Sequence, residues 1–201
     1  MDKQKNNECC DIKIKERKED KDIGRNEKTA RKQGERIVQN VIVRKAHIDD
    51  LSAILQIYNQ GIEDRIATLE QDLKDMSFIT SWFEEHQDRY SVLVAEINKQ
   101  IVGWASLNRY SHRCVYNAVA DISVYVGRSF RGKGIGTVLL QELEKEAKTN
   151  GFHKMVLFTF PFNQLGQSLY RKIGFREVGV FEKHGRLDDQ FVDVMIMEKL
   201  L

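Results

Sequence analysis

Three glycines within five positions, Gly132, Gly134 and Gly136, stand between a β-branched run and an apolar helical stripe, and that junction constrains this chain more than any other stretch. Val124-Tyr125-Val126 favours a strand, because β-branched and aromatic side chains fit a pleated surface. Downstream, Ile135, Leu139, Leu143 and Ala147 recur at the spacing of one helical face. A strand, a glycine-rich bend and a helix in that order leave backbone N–H groups free to turn toward one point. The helix N-terminus adds partial positive charge there. The stretch Arg131-Gly132-Lys133-Gly134-Ile135-Gly136-Thr137 therefore reads as a site for a phosphate-bearing ligand. It is not a nucleotide P-loop, since no Gly-Lys-Ser/Thr follows a first glycine at the required spacing. Nor is it a dinucleotide fingerprint, because its glycines follow G-x-G-x-G.

The chain around this junction alternates strand and helix signals. Val41 to Lys45 reads as a first strand, and Asp49 as the N-cap of a helix whose stripe is Leu51, Ile54, Leu55, Tyr58 and Ile62. A second helix begins at Ser77 and carries Phe78, Trp82 and Phe83. Ser91–Glu96 and Ile101–Leu107 read as a hairpin across Asn98-Lys99-Gln100. An irregular segment, Asn108 to Ala118, leads to a strand over Val119–Val126. Lys154 to Phe160 is almost continuously apolar, as in a strand buried on both faces. A helix through Gln167–Ile173 stops at Gly174, and Phe175–Phe181 and Phe191–Leu200 are expected as strands joined by a polar loop, His184 to Gln190. The expected fold class is an α/β sandwich, a mixed twisted sheet of about seven strands flanked by four helices.

Two motifs in order carry a family resemblance. Arg131-x-x-Gly134-x-Gly136 resembles the coenzyme A pyrophosphate loop of the GNAT N-acetyltransferases. Asn163-x-x-Gly166-x-x-Leu169-Tyr170-x-x-x-Gly174-Phe175 is similar to that family's later N-x-x-[SG]-x-x-L-Y-x-x-x-G-F segment. The resemblance covers Val41 to Leu201. It implies acetyl transfer from acetyl-coenzyme A (acetyl-CoA) directly to an amine. It further implies that the fourth and fifth strands splay, that the backbone of Val124, Tyr125 and Val126 meets the pantetheine arm, that Arg131, Gly132, Lys133, Gly134, Ile135, Gly136 and Thr137 hold the pyrophosphate, and that Asn163 contacts the coenzyme.

Such chemistry needs a neutral amine, a polarised carbonyl and a proton for the departing thiolate. Asp121, in Ala120-Asp121-x-Ser123-Val124-Tyr125-Val126, stands where the phosphinothricin acetyltransferase subgroup usually carries the glutamate taken as base. Aspartate is one methylene shorter, which favours a bridging water. Tyr170 matches the family's tyrosine near the sulfur, a candidate acid, although packing explains a helical tyrosine equally well. Arg109, Arg113 and Tyr116 precede the fourth strand, where the subgroup binds an amino-acid substrate; a guanidinium there can take a carboxylate in two parallel hydrogen bonds. Tyr58-Asn59, Gly103-Trp104-Ala105-Ser106 and Phe160-Pro161-x-Asn163 also resemble enzymes that acetylate phosphinothricin, methionine sulfoximine or arsinothricin, and Gly185-Arg186-Leu187-Asp188 with Val192-Asp193-Val194 is most similar to the arsinothricin branch. Asp193, matching an aspartate of the subgroup's last strand, is expected either to be structural or to support the site residues from behind. The alternatives are a GNAT enzyme acting on a protein N-terminus or lysine, and an acetyl-CoA-binding sensor without turnover.

Composition removes other classes. With 201 residues and 41% hydrophobic content the chain supports one domain with an appendage, 41–201 with 1–40. Residues 1–40 hold 12 Lys or Arg against 9 Asp or Glu with few large apolar side chains, and are expected to be a disordered extension. A basic arm for RNA or a membrane is the competing reading, and the mixed signs disfavour it. The net charge of +2 argues against nucleic acid, and no apolar run or signal pattern points to a membrane. Cys9, Cys10 and Cys114 fit neither a disulfide framework nor zinc, and the five histidines show no ligand spacing, so no metal and a cytoplasmic setting are expected. Trp82, Trp104 and the phenylalanines read as core. The subgroup implies a homodimer with a small-molecule substrate.

Overall fold

The computed structural model describes residues 40–86 and 88–201. The expected charged extension lies, except for Asn40, outside the described residues. The chain runs β1 (Ile42–Lys45), α1 (Leu51–Glu63), α2 (Met76–Glu85), β2 (Val92–Ile97), β3 (Gln100–Arg109), β4 (Val119–Val126), α3 (Ile135–Thr149), β5 (Lys154–Thr159), α4 (Gln164–Ile173), β6 (Arg176–Leu187) and β7 (Gln190–Leu200). The seven strands form one sheet, ordered β1-β2-β3-β4-β5-β7-β6. Only the β4–β5 pair is parallel. Among the described residues this is the mixed α/β sandwich with four α-helices that the sequence leads one to expect.

Local chemistry sets the element ends. Asn98 and Lys99 take φ of 49° and 66°, the paired left-handed conformation of a tight hairpin turn. Asp75 caps α2, its carboxylate accepting from the Phe78 N–H at 2.8 Å. The start of α1 differs from the expectation. His47, not Asp49, caps a short 3-10 turn ahead of α1, and Asp50 accepts from the His47 N–H at 2.7 Å. Asp50 is drawn inward because Arg44 of β1 grips both its oxygens, at 2.7 and 2.8 Å. Asn59 clamps the α1–α2 connection by exchanging two bonds of 2.9 Å with the Lys74 backbone.

Alternation along β2 sends side chains to two cores. Val92 and Val94 join Leu51, Ile54 and Ile57 of α1, Ile79 of α2 and Trp104. Leu93 and Ala95 face the other way, toward Ile135, Leu139, Leu140 and Leu143 of α3. Those four α3 side chains are at most 1% exposed, and burying each contributes roughly 1.5–3 kcal/mol. The α3 stripe thus fixes the glycine bend that precedes it against the sheet.

Two expectations are corrected, one about a strand and one about the core. The polar stretch from His184 is no loop: β6 continues to Leu187 and turns into β7 at Asp188 and Asp189, whose φ are 44° and 65°. β6 lies at the sheet edge, so its outward side chains stay wet and need no apolar alternation. Asp193 accepts from the Lys183 N–H at 2.7 Å, bracing the irregularity between Phe181 and Gly185, which is a structural role. The phenylalanines are not all core: Phe158, Phe162, Phe181 and Phe191 are 43–69% exposed.

Candidate active site

β4 and β5 pair only at Val119↔Lys154, Ala120↔Met155 and Asp121↔Val156, after which they part. β4 follows β3 to Val126, while β5 follows β7 to Thr159. The gap is a cleft of about 370 Å³ lined by Ile122 to Val126 on one side and by Phe158 and α4 on the other. Gly127 donates to the Val102 carbonyl at 2.9 Å. Antiparallel pairing alternates, so Val126, Val124 and Ile122 turn their backbone groups away from β3 and toward this gap. The Val126 carbonyl already accepts from Arg131 Nε at 2.9 Å, while the Val124 backbone groups lie beyond the last β4–β5 pair and stay open to the gap.

The glycine bend closes one end of the cleft. Gly132 and Gly134 take φ of 72° and 85°, left-handed values that L side chains rarely adopt. Gly134 is the N-cap of α3 and brings no side-chain oxygen to satisfy the first amides of the helix. The Ile135 and Gly136 N–H groups therefore remain as donors at a cleft that both residues line. A Cβ on Gly136 would meet Leu169 of α4 at 2.8 Å, so the close approach of α3 and α4 depends on glycine there. The donors, the positive end of α3 and the absence of a carboxylate among the cleft-lining residues fit a diphosphate.

At the other end stands Asp121. It lines two smaller cavities that share it and Phe158: one of about 350 Å³ with Tyr110, Ser111, Arg113 and Tyr116, the other of about 200 Å³ with Thr68, Leu69 and Tyr125. Burial pushes the Asp121 carboxyl up to about 7, and bonds from the Ile122 N–H and the Asn108 side chain pull only partly back. Tyr170 lines the main cleft beside Tyr125, and burial pushes its phenol up to about 12, so it stays protonated at neutral pH. Tyr125 is partly buried and its phenol is likewise raised by desolvation. Its ring stacks on Trp104 at 4.8 Å and meets Tyr58 edge-on at 5.1 Å, which fixes that stretch of β4 from beneath.

Comparison with known proteins decides the family. The acetyltransferase (GNAT) family profile matches residues 51–175. The chain belongs to the GNAT acetyltransferase family. It is 30% identical to the L-methionine sulfoximine/L-methionine sulfone acetyltransferase of Pseudomonas aeruginosa PAO1, over 78% of this chain and 92% of that one. Its fold superposes with a TM-score of 0.77 on the crystal structure of ribosomal-protein-alanine N-acetyltransferase from Brucella melitensis, at 34% identity, covering 80% and 99% of the two chains. The same score holds for a phosphinothricin acetyltransferase from Sinorhizobium meliloti in complex with acetyl-CoA, at 26% identity over 81% and 89%.

On this GNAT frame the expected residues divide. Val124, Tyr125, Val126, Arg131, Gly132, Gly134, Ile135, Gly136, Thr137, Asn163 and Tyr170 all line the main cleft. Arg131, however, turns its guanidinium to Val126 and to Asp64 at the end of α1, so only its backbone is left for a ligand. Lys133 is not among the lining residues; its ammonium lies 5.4 Å from the Phe130 ring centre. Asn163 spends its side chain capping α4, accepting from Gly166 at 3.0 Å. Arg113 and Tyr116 join Asp121, whereas Arg109 is the last residue of β3, not part of the irregular segment. Its guanidinium lies 5.7 Å from the Tyr90 ring centre. The sequence reading missed Phe158, Thr68 and Leu69. Phe158 sits in an apolar run that reads as buried on both faces, and only the departure of β4 uncovers it. Thr68 and Leu69 belong to a connection without any motif.

Proposed function

We propose that this GNAT enzyme moves an acetyl group from acetyl-CoA to the α-amine of a small amino acid or glutamate analogue of the phosphinothricin, methionine sulfoximine or arsinothricin type, and so confers resistance. One observation carries the reading: β4 leaves β5 at Asp121, so a carboxylate with a raised pKa stands where the phosphate-end cleft meets a cavity holding Arg113. Acetyl-CoA supplies the activated acyl group. The amides at Ile135 and Gly136 hold its diphosphate, and the Val124 N–H polarises the acyl carbonyl. Arg113 takes the acceptor carboxylate, with Tyr110 and Tyr116 beside it. Asp121 receives a proton from the acceptor ammonium, through a bridging water because its side chain is short. Tyr170 Oη, neutral throughout the physiological range, supplies the proton that the leaving sulfur needs.

The relatives named for methionine sulfoximine and phosphinothricin support a free amino-acid acceptor. The Brucella protein, at higher identity, favours a second reading, acetylation of a protein N-terminal alanine. Exposed Val178, Phe181 and Phe191 on the β6–β7 hairpin support a homodimer, and the reading places the enzyme in the cytoplasm, acting on neither nucleic acid nor membrane. The test is coenzyme A thiol release with phosphinothricin, methionine sulfoximine, arsinothricin, the common amino acids and an alanine-initiated peptide. Turnover with the free amino acids alone is expected. Turnover with the peptide alone would transfer the assignment to the second reading, and coenzyme binding without any thiol release would mean a sensor.

A further inference from the structure

Behind Asp121, on the face of the sheet that carries Trp104, lies a chain of polar side chains that the transfer chemistry described above does not use. Asn108 of β3 stands directly opposite Asp121 of β4, and Ser106 opposite Ser123. The Asn108 amide is fully engaged. Its nitrogen donates to Ser123 Oγ at 3.0 Å and stands beside the Asp121 carboxyl, which it draws down. Its oxygen accepts from Ser106 Oγ at 2.8 Å and faces His86 Nε2 at 2.8 Å. His86 follows the last residue of α2, and its other nitrogen, Nδ1, faces the Trp82 carbonyl at 2.7 Å.

The partners dictate the direction of every bond. An ionised Asp121 only accepts, so Asn108 must present its nitrogen to it. The Asn108 oxygen then faces His86, and Nε2 must carry a proton. The arrangement is thus complete when Asp121 is a carboxylate and His86 donates from Nε2, with the amide dipole aligned between them. A bare Nε2 lone pair there would meet the Asn108 oxygen; turning the amide would relieve that contact but aim an oxygen at Asp121. Other groups face Asp121: Tyr125 from its own strand, and Tyr110, Arg113 and Tyr116 across the cavity. Arg109, beside Asn108, points instead toward Tyr90.

We propose that His86 and Asn108 are positioning residues for Asp121: the His86 Nε2–H fixes the amide so that its N–H faces the base and holds it as a carboxylate aimed at the acceptor cavity. This rests on Asp121 acting as the base, and the experiment separates the two. The Asp121 carboxyl is followed by carbon-13 NMR through a pH titration of the full chain without acceptor, its signal assigned by its loss in Asp121→Asn. In His86→Ala the midpoint rises by about one pH unit, and His86→Gln, which keeps a donor toward Asn108, returns it close to wild type. In parallel, kcat at pH 7 falls severalfold in His86→Ala while the acetyl-CoA KM is unchanged. A midpoint that does not move in His86→Ala overturns the proposal. Should that variant fail to fold, Asn108→Asp, which replaces the donor with a second carboxylate, must raise the midpoint further, and an unmoved midpoint there is equally fatal. A midpoint that moves in a protein that acetylates no amine leaves the positioning intact and removes the assigned activity. Normal turnover with an unmoved midpoint does the reverse.

Discussion

Replacing Asp121 with asparagine separates the cost of the proposed base from its use. In the folded chain its carboxyl is raised from the ordinary 3.8 to about 7. Between those values the unfolded chain has released the proton while the folded chain keeps it, so folding binds a proton and stability falls as pH rises through the window. The loss is complete above about pH 7. At ~1.4 kcal/mol per pH unit, a rise of that size sets a ceiling of about 4 kcal/mol; Asp121 lines two open cavities, which lowers the expectation to about 2–4 kcal/mol. The asparagine amide would keep an acceptor for Asn108 but carry no charge. Asp121→Asn should therefore match wild type in melting temperature near pH 4 and exceed it at pH 8 by roughly 5–15 °C, at about 2–4 °C per kcal/mol for a chain of this size. Acetyl transfer by the same variant should fall by about 10²–10⁴-fold. Scanning calorimetry at pH 4, 6 and 8 reads the first, thiol release the second. A stability difference that does not change with pH, or that favours wild type at pH 8, would refute the desolvated carboxylate.

Other outcomes test the remaining parts of the site. The wild-type rate should rise through pH 7 as Asp121 loses its proton, and a profile flat from pH 5 to 9 would remove it as base. Gly134→Asp puts a negative charge and a strained φ where phosphate approaches, so acetyl-CoA affinity measured by calorimetry should drop by at least about 100-fold with the fold retained. Arg113→Ala should raise the acceptor KM by about 10–100-fold and leave kcat within a small factor. Tyr170→Phe should lower kcat by about 10-fold or more without weakening coenzyme binding, and an unchanged kcat would return Tyr170 to packing against Phe175.

What the sequence made legible is what short-range physics decides. The glycine bend, the α3 stripe and the Asn98-Lys99 turn each depend on a few consecutive residues, and each stands where pattern places it. The same holds for β4, whose bounds are those expected. Cap assignment fails at Asp49 because Arg44, on another element, makes Asp50 the residue that turns inward. The β6 extension was hidden because an edge strand exposed to water carries no alternation, and His184 to Leu187 look like any polar connection. Phe158 is the clearest case. Its neighbours Met155, Val156 and Leu157 are at most 6% exposed, and nothing local distinguishes it from them.

Site assignment divides along the same line. Backbone chemistry was readable: the amides of Ile135 and Gly136 are available because Gly134 has no side chain to cap with, and that follows from residue type. Side-chain engagement was not. Arg131 and Lys133 carry the charge one would assign to phosphate, yet Asp64, 67 residues earlier in the chain, claims the first, and the Phe130 ring lies beneath the second. On the proposed reading the coenzyme end of the cleft relies on amide dipoles fixed by α3 rather than on mobile cations, and its donors cost no side-chain entropy when phosphate arrives. At Asp121 the reverse applies. Its raised pKa requires burial, burial requires the sheet to remain closed up to Val156, and access requires it to open immediately afterwards. The parting of two strands at one residue gives the carboxylate both conditions, and it depends on β5 preferring β7, a pairing that no stretch near Asp121 encodes.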